Sequence, residues 1–151
     1  MVIILAGIVS ALAYSRRSND LLTLSTQADR LASVIRMAQT LAMTQGQRYQ
    51  VRVTGTTYDL YSVTGGVGTQ AREPGTNQLG PFSLSAAVTI DIPPTNLANS
   101  LVTFDGRGVP YTDSVSPGSM LSPSAAVITL RKGTFSRTIL ITPETGNALV
   151  Q

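Results

Sequence analysis

The residues MVIILAGIVSALAY (1–14), followed beyond Arg16 and Arg17 by LSTQADRLASVIRMAQTLAMTQ (24–45), decide how this chain folds. Leu21, Leu24, Ala28, Leu31, Ile35, Ala38 and Ala42 recur at alternating spacings of three and four, which is one apolar seam along an α-helix. Asp20, Asp29, Arg30, Arg36 and Gln39 fall off that seam. No Pro or Gly interrupts the pattern beyond the arginines until Gly46, which is placed to cap the helix C-terminus. The expectation is one helix over about residues 1–45, on the order of 65–70 Å long at about 1.5 Å per residue. A single domain of the remaining length cannot cover such a rod. Ala32, Val34, Met37 and Leu41 widen the apolar surface, and two readings stay open: one contact to the chain's own domain and another to other chains, or a core helix with a broad buried face.

The first part of the rod belongs in lipid or against neighbouring helices. Val2, Ile3, Ile4, Leu5, Ile8, Val9 and Leu12 supply its apolar surface, Ser10 is its one clearly polar residue, and Ala6, Gly7, Ala11 and Ala13 give the small-residue texture of closely packed membrane helices. A span needs about 20 apolar residues, so this run is expected to be the surviving end of a longer one. A secretory signal has the opposite order, with basic residues before the apolar run and a cleavage site after it. Arg16 and Arg17 mark the water boundary, on the outer side and so against the positive-inside bias, which a more basic leader would outweigh. The chain therefore divides into residues 1–20, the membrane or helix-packing half, and residues 21–151, a globular domain containing the second half of the helix.

Composition narrows the chemistry. The 151 residues are 13% charged and 42% apolar, with a net charge of +3, no Cys and no His. There is then no disulfide framework, no thiolate ligand and no imidazole base. The one lysine, Lys132, is predicted at an exposed hairpin turn, a poor place to activate a serine. Asp91, Asp105 and Asp113 lie on or near loops without the spacing of a calcium loop, and are expected as turn-forming or solvated acids. Gly65, Gly66 and Gly68 do not lead from a strand into a helix, so they are loop residues and not a phosphate cradle. No enzyme, metal or cofactor is expected.

After Gly46 the period changes to two. Tyr49, Val51 and Val53 alternate with Arg48, Gln50 and Arg52, a strand with one buried face, and TTYDLYSV (56–63) completes a hairpin. Residues Thr64–Pro81 are expected as a long exposed loop. Further strands are expected at Phe82–Ile92, Leu101–Phe104, Ala125–Arg131, Phe135–Thr142 and Asn147–Val150, with a tight turn at Asp105–Gly108 whose glycines supply positive φ and a second loop at Thr112–Ser124. A helix followed by six or seven antiparallel strands is an α+β fold.

In this order, DRLASVIRMAQTLAMTQG, TYDLYSV, VTFDGRGVP and RTILITPETGNALV resemble the type IV pilin fold of the GspH/FimT group, the minor pilins and minor pseudopilins; pilus subunits of the mannose-sensitive haemagglutinin type look similar. The resemblance spans the whole chain. It implies a structural subunit of a type IV pilus or type II secretion pseudopilus, held in the bacterial inner membrane by a single helix with its domain in the periplasm, then assembled with other pilin subunits into a filament. The loops 64–81 and 112–124 would face outward. Two features of the group are missing here: the leader with its cleavage glycine, Phe and glutamate, and a helix-kinking proline, since none precedes Pro74. Some FimT-like proteins bind DNA during uptake through basic C-terminal positions, which would correspond to Arg131, Lys132 and Arg137, with Arg107 nearby; phosphate contacts of that kind are sequence-blind and salt-sensitive.

Overall fold

In a computed structural model, which describes the backbone of residues 2–73, 76–113 and 119–151 and side chains from Asn19 onward, the N-terminal pattern forms one unbroken helix, α1 (Val2–Gln45). It stops at Gly46, whose φ of +64° is the left-handed conformation that ends helices. Ten strands follow among the described residues: β1 (Arg48–Val53), β2 (Thr57–Thr64), β3 (Val67–Gln70), β4 (Phe82–Ser83), β5 (Thr89–Ile90), β6 (Leu101–Phe104), β7 (Pro110–Tyr111), β8 (Ala126–Lys132), β9 (Phe135–Ile141) and β10 (Ala148–Val150). One sheet runs β3-β2-β1-β6-β7, with β4 also pairing with β2; the other runs β10-β9-β8-β5. All pairings are antiparallel.

Both sheets lay their apolar faces on the same helix. Leu24, Ala28, Leu31, Ile35, Ala38 and Ala42 are fully buried there, against residues such as Val51, Leu60 and Phe104 of the first sheet and Ile128, Ile139 and Ile141 of the second. Ala32 and Val34 are buried too, and Met37 and Leu41 are half-buried. The wide apolar face formed by residues 24–42 is therefore used within the domain, because two sheets need a wider face than one seam provides. Leu21, expected on the packed seam, is instead 38% exposed. It sits at the rim, where the second sheet ends: the Lys132 Nζ at the close of β8 meets Asp20 Oδ1 at 3.0 Å.

Several strands were not expected. The stretch 64–81 is organised: Gly65 and Gly66, both at positive φ (59° and 83°), turn β2 back into β3, and Arg72 bridges to Leu79. A Gly-Gly pair is a hairpin turn of this kind. The expected strand 82–92 is split, since Ala87 adopts φ +65° and the chain crosses from β4 in one sheet to β5 in the other. Of the turn glycines after Asp105, Gly108 has positive φ and Gly106 does not. Part of the second expected loop, residues 114–118, lies outside the described residues; the rest contributes a Tyr111–Met120 bridge.

Polar ties fix the helix along its axis. The Arg30 guanidinium donates to both oxygens of Glu73 at 2.9 and 2.7 Å, and Glu73 also accepts from the hydroxyls of Tyr58 (2.7 Å) and Thr76 (3.0 Å). Arg36 donates to the Ala148 carbonyl, and Gln39 donates to the carbonyls of Gly108 and Thr145. Gly146 is required beside Gln39: its φ is +66°, and a Cβ there would meet Phe104 Cε1 at 2.7 Å and Gln39 Nε2 at 2.8 Å. Burial alone would raise the Glu73 pKa, but the hydrogen bonds from Arg30, Tyr58 and Thr76 outweigh it and hold the carboxyl below its usual range. Burial, then the bond to Glu73, pushes the Tyr58 phenol well above its ordinary value.

Leu31→Ala should cost about 3 kcal/mol in chemical denaturation, as a fully buried leucine does, whereas Leu21→Ala should stay within about 1 kcal/mol; equal losses would mean that Leu21 belongs to the core. Glu73→Gln should cost about 2 kcal/mol, near the lower end for a broken buried pair because Arg30 keeps access to water. The folded-state pKa of Glu73 is lowered, so its stabilisation is present above the unfolded value of about 4.3 and fades as pH falls through the folded one. Tyr58 has the opposite sign: its contribution is lost as pH rises beyond about 10. The wild type should accordingly lose stability more steeply than Glu73→Gln below about pH 4, and parallel acid limbs would show that the carboxylate is not the group being titrated.

Candidate functional site

The residues expected to act between molecules are those α1 does not use within the domain. Val2, Ile3, Ile4, Leu5, Ile8, Val9 and Leu12 lie on the helical backbone N-terminal to the domain, and their side chains lie outside the described ones. Among the described residues no helix is long and apolar enough to cross a membrane. Among the described side chains the first core residue of α1 is Leu24, and the helical backbone runs on for about 33 Å ahead of it at about 1.5 Å per residue.

Along the packed half a narrow stripe stays open to solvent: Leu22, Thr26, Asp29, Ser33, Arg36 and Thr40, ending at Met43. Its threonines fold back on the helix, Thr26 donating to the Leu22 carbonyl at 2.9 Å and Thr40 to the Arg36 carbonyl at 3.0 Å. The seam residues Leu24, Ala28, Leu31, Ile35, Ala38 and Ala42 all point away from this stripe into the core.

The four basic candidates do not form one patch. Arg107 lies in the turn between β6 and β7, chelated by Asp105, which also accepts from the backbone N–H groups of Arg107 and Val109. Burial would raise the Asp105 pKa, yet those bonds, the backbone ones foremost, hold it below the usual carboxylate range. Asp105 is thus a turn-forming acid. The other three lie on the β8–β9 hairpin, where the register pairs Leu130 with Arg137 and Arg131 with Ser136. Because neighbouring residues of a strand point to opposite faces, Arg131 is on the outer face and Arg137 on the helix-facing one. Arg131 pairs with Asp91 at 2.8 Å, both exposed. Lys132, expected to be exposed, has a side chain only 17% exposed because it folds onto Asp20 of α1. Sequence separation concealed both acids, Asp20 lying on the helix and Asp91 next to β5.

On the outer face of the first sheet the guanidinium of Arg48 stacks over the Tyr111 ring at 5.1 Å and that of Arg52 over Tyr61 at 5.5 Å. Gln50, expected on an exposed face, is only 4% exposed between them. Thr103, its partner on β6, is fully buried, and its hydroxyl has no hydrogen-bond partner. Among the described residues there is no group of three His, Cys, Asp or Glu side chains able to hold a metal ion.

The fold has known relatives. The chain resembles the type IV minor pilin FimU of Pseudomonas aeruginosa at 14% identity, covering 91% of this chain and 90% of that one with a TM-score of 0.57. It resembles the minor pseudopilin EpsH from the type 2 secretion system of Vibrio cholerae at 10% identity, covering 85% and 95% with a TM-score of 0.60. No curated protein sequence matches the chain. The family described as type II transport protein GspH matches residues 27–146, from the packed half of α1 to the glycine before β10. With the helix shared between two antiparallel sheets and a family match over most of its length, this chain belongs to the GspH family of pilin-fold proteins.

Proposed function

We propose that the chain is a structural subunit, of the minor class, of a type IV pilus or type II secretion pseudopilus, and not an enzyme. Before assembly the apolar part of α1 holds it in the bacterial inner membrane with the domain in the periplasm. On assembly the same residues pack against the helices of neighbouring pilin subunits. The observation that supports this most is the continuity of α1: the helix leaves the core at Leu24 and goes on, unbroken, to Val2. The apolar side chains of residues 2–12 need an apolar environment, because each buried CH₂ is worth about 0.8 kcal/mol. Lipid and a bundle of like helices are the two that satisfy it.

The domain boundary follows from the same point. Residues 1–20 serve the membrane and the filament, and residues 21–151 form the periplasmic domain, joined at the Asp20–Lys132 ion pair. No proline lies between Val2 and Gln45, so no ring clash kinks the helix between the two halves.

Ile8→Asp should leave the domain folded and abolish incorporation into filaments, whereas Leu31→Asp should unfold the domain, since an unpaired charge in a full core costs several kcal/mol. Circular dichroism of the soluble domain and fractionation of sheared filaments read the two effects separately. Filament incorporation of Ile8→Asp at the wild-type level would sink the proposal.

A further inference from the structure

We propose that the tip of the β8–β9 hairpin rests on the anionic phospholipid surface beside the point where α1 enters the membrane, and so sets the tilt of the domain before assembly. This rests on the membrane reading of the apolar helix given above. The partner is a bilayer bearing acidic headgroups.

The level of the hairpin along α1 can be worked out from its contacts. Arg36 donates to the Ala148 carbonyl, Ala148 pairs with Ile141, and Ile141 pairs with Ala126 at the start of β8. At its other end β8 finishes in Lys132, bonded to Asp20. The sixteen residues from Asp20 to Arg36 rise about 24 Å as helix, and the six steps of β8 span about 20 Å as strand. The strand therefore runs down the helix toward its N-terminus, and the turn at Lys132–Gly133–Thr134–Phe135 is at the lower end. Asp20 is six residues beyond Tyr14, where the apolar run closes, which is about 9 Å along the axis. That is within about one Debye length of the membrane surface.

The chemistry of this end suits such a surface. Arg131 and Arg137 flank the tip on its two faces. Arg131 is held by Asp91, so Arg137, exposed on the other face, is the cation left to reach headgroup phosphates in an end-on approach to a plane. Leu21 and Leu22, 38% and 68% exposed, lie at the same level of α1, beside Asp20. The acids near the tip are neutralised, Asp20 by Lys132 and Asp91 by Arg131. The other turn at this end, Thr54–Thr56, is uncharged; the Gly55 carbonyl accepts from Ile90, which pairs with Leu130.

The chain has no cysteine, so single-cysteine variants can carry a fluorophore at one site each. Thr134→Cys reports the tip, Ile8→Cys reports helix insertion, and Gln47→Cys reports the far end of the helix. In the full chain reconstituted into vesicles with brominated phospholipid, Thr134 and Ile8 should be quenched and Gln47 should not. The quenching at Thr134 should require phosphatidylglycerol and be lost in pure phosphatidylcholine or at high salt. Added Arg137→Gln should weaken the apposition about fivefold, the factor expected for one basic residue at an anionic surface. Quenching at Ile8 with Thr134 as dark to lipid as Gln47 would overturn the proposal and leave the membrane reading standing. No quenching at Ile8 would overturn both. A response at Thr134 to duplex DNA, with none to phosphatidylglycerol vesicles, would overturn it in favour of nucleic acid.

Discussion

Everything in this protein depends on one helix being shared by two sheets. Neither sheet closes a core alone: the strands β8 and β9 have one face of Ile and Leu that would stand in water without α1, and the same holds for Val51, Leu60 and Phe104 opposite. A sheet must bury its apolar face against another layer. The chain weaves between the sheets, with β5 in one and β4 and β6 in the other, so the two sheets cannot separate without pulling strands apart. The four buried alanines of the helix, Ala28, Ala32, Ala38 and Ala42, leave room for large side chains from both sides.

The helix was legible in the sequence because a period of 3.6 kept up over two dozen residues is the mark of a helix with one buried side, and its end was marked by Gly46. The strands with strict alternation, β1, β2, β8 and β9, were legible for the same reason. The short ones were not. β3 is a four-residue strand, Val67–Gln70, with three exposed residues, one of them Gly68, so no hydrophobic pattern announces it; the pair Gly65-Gly66 was the usable signal. β4 and β5 merged into one expected strand because Phe82, Leu84, Val88 and Ile90 share a parity and all are buried, although they belong to different sheets.

The site was half legible. The apolar half of α1 stands out in composition, but the width of the packed face left two readings open, since sequence shows how much apolar surface a helix has and not how many layers come to meet it. The charges were less legible still. Glu73 sits in a stretch rich in Gly, Pro and polar residues, and nothing local shows that it is 3% exposed and bound by Arg30, forty-three positions away. The same separation hid Asp20 from Lys132 and Asp91 from Arg131, so a basic cluster along the chain became cations on different faces, two of them with acids of their own.

Those long-range polar ties do something that the apolar seam cannot. A seam of Leu and Ala spaced by three and four nearly superimposes on itself when the helix slides by one turn, about 5.4 Å, and apolar contact has no direction with which to resist the slide. Hydrogen bonds do, because geometry restricts them to within about 3.2 Å. Asp20, Arg30, Arg36 and Gln39 are tied to separate points on the strands and loops that surround the helix, over about 28 Å of its length. A slide of one turn would break all of them at once and strand Glu73 without its cation. The exposed ties are each worth little in net stability, yet together with the buried Glu73 tie they make the axial position of the helix single-valued, and the domain travels with its rod.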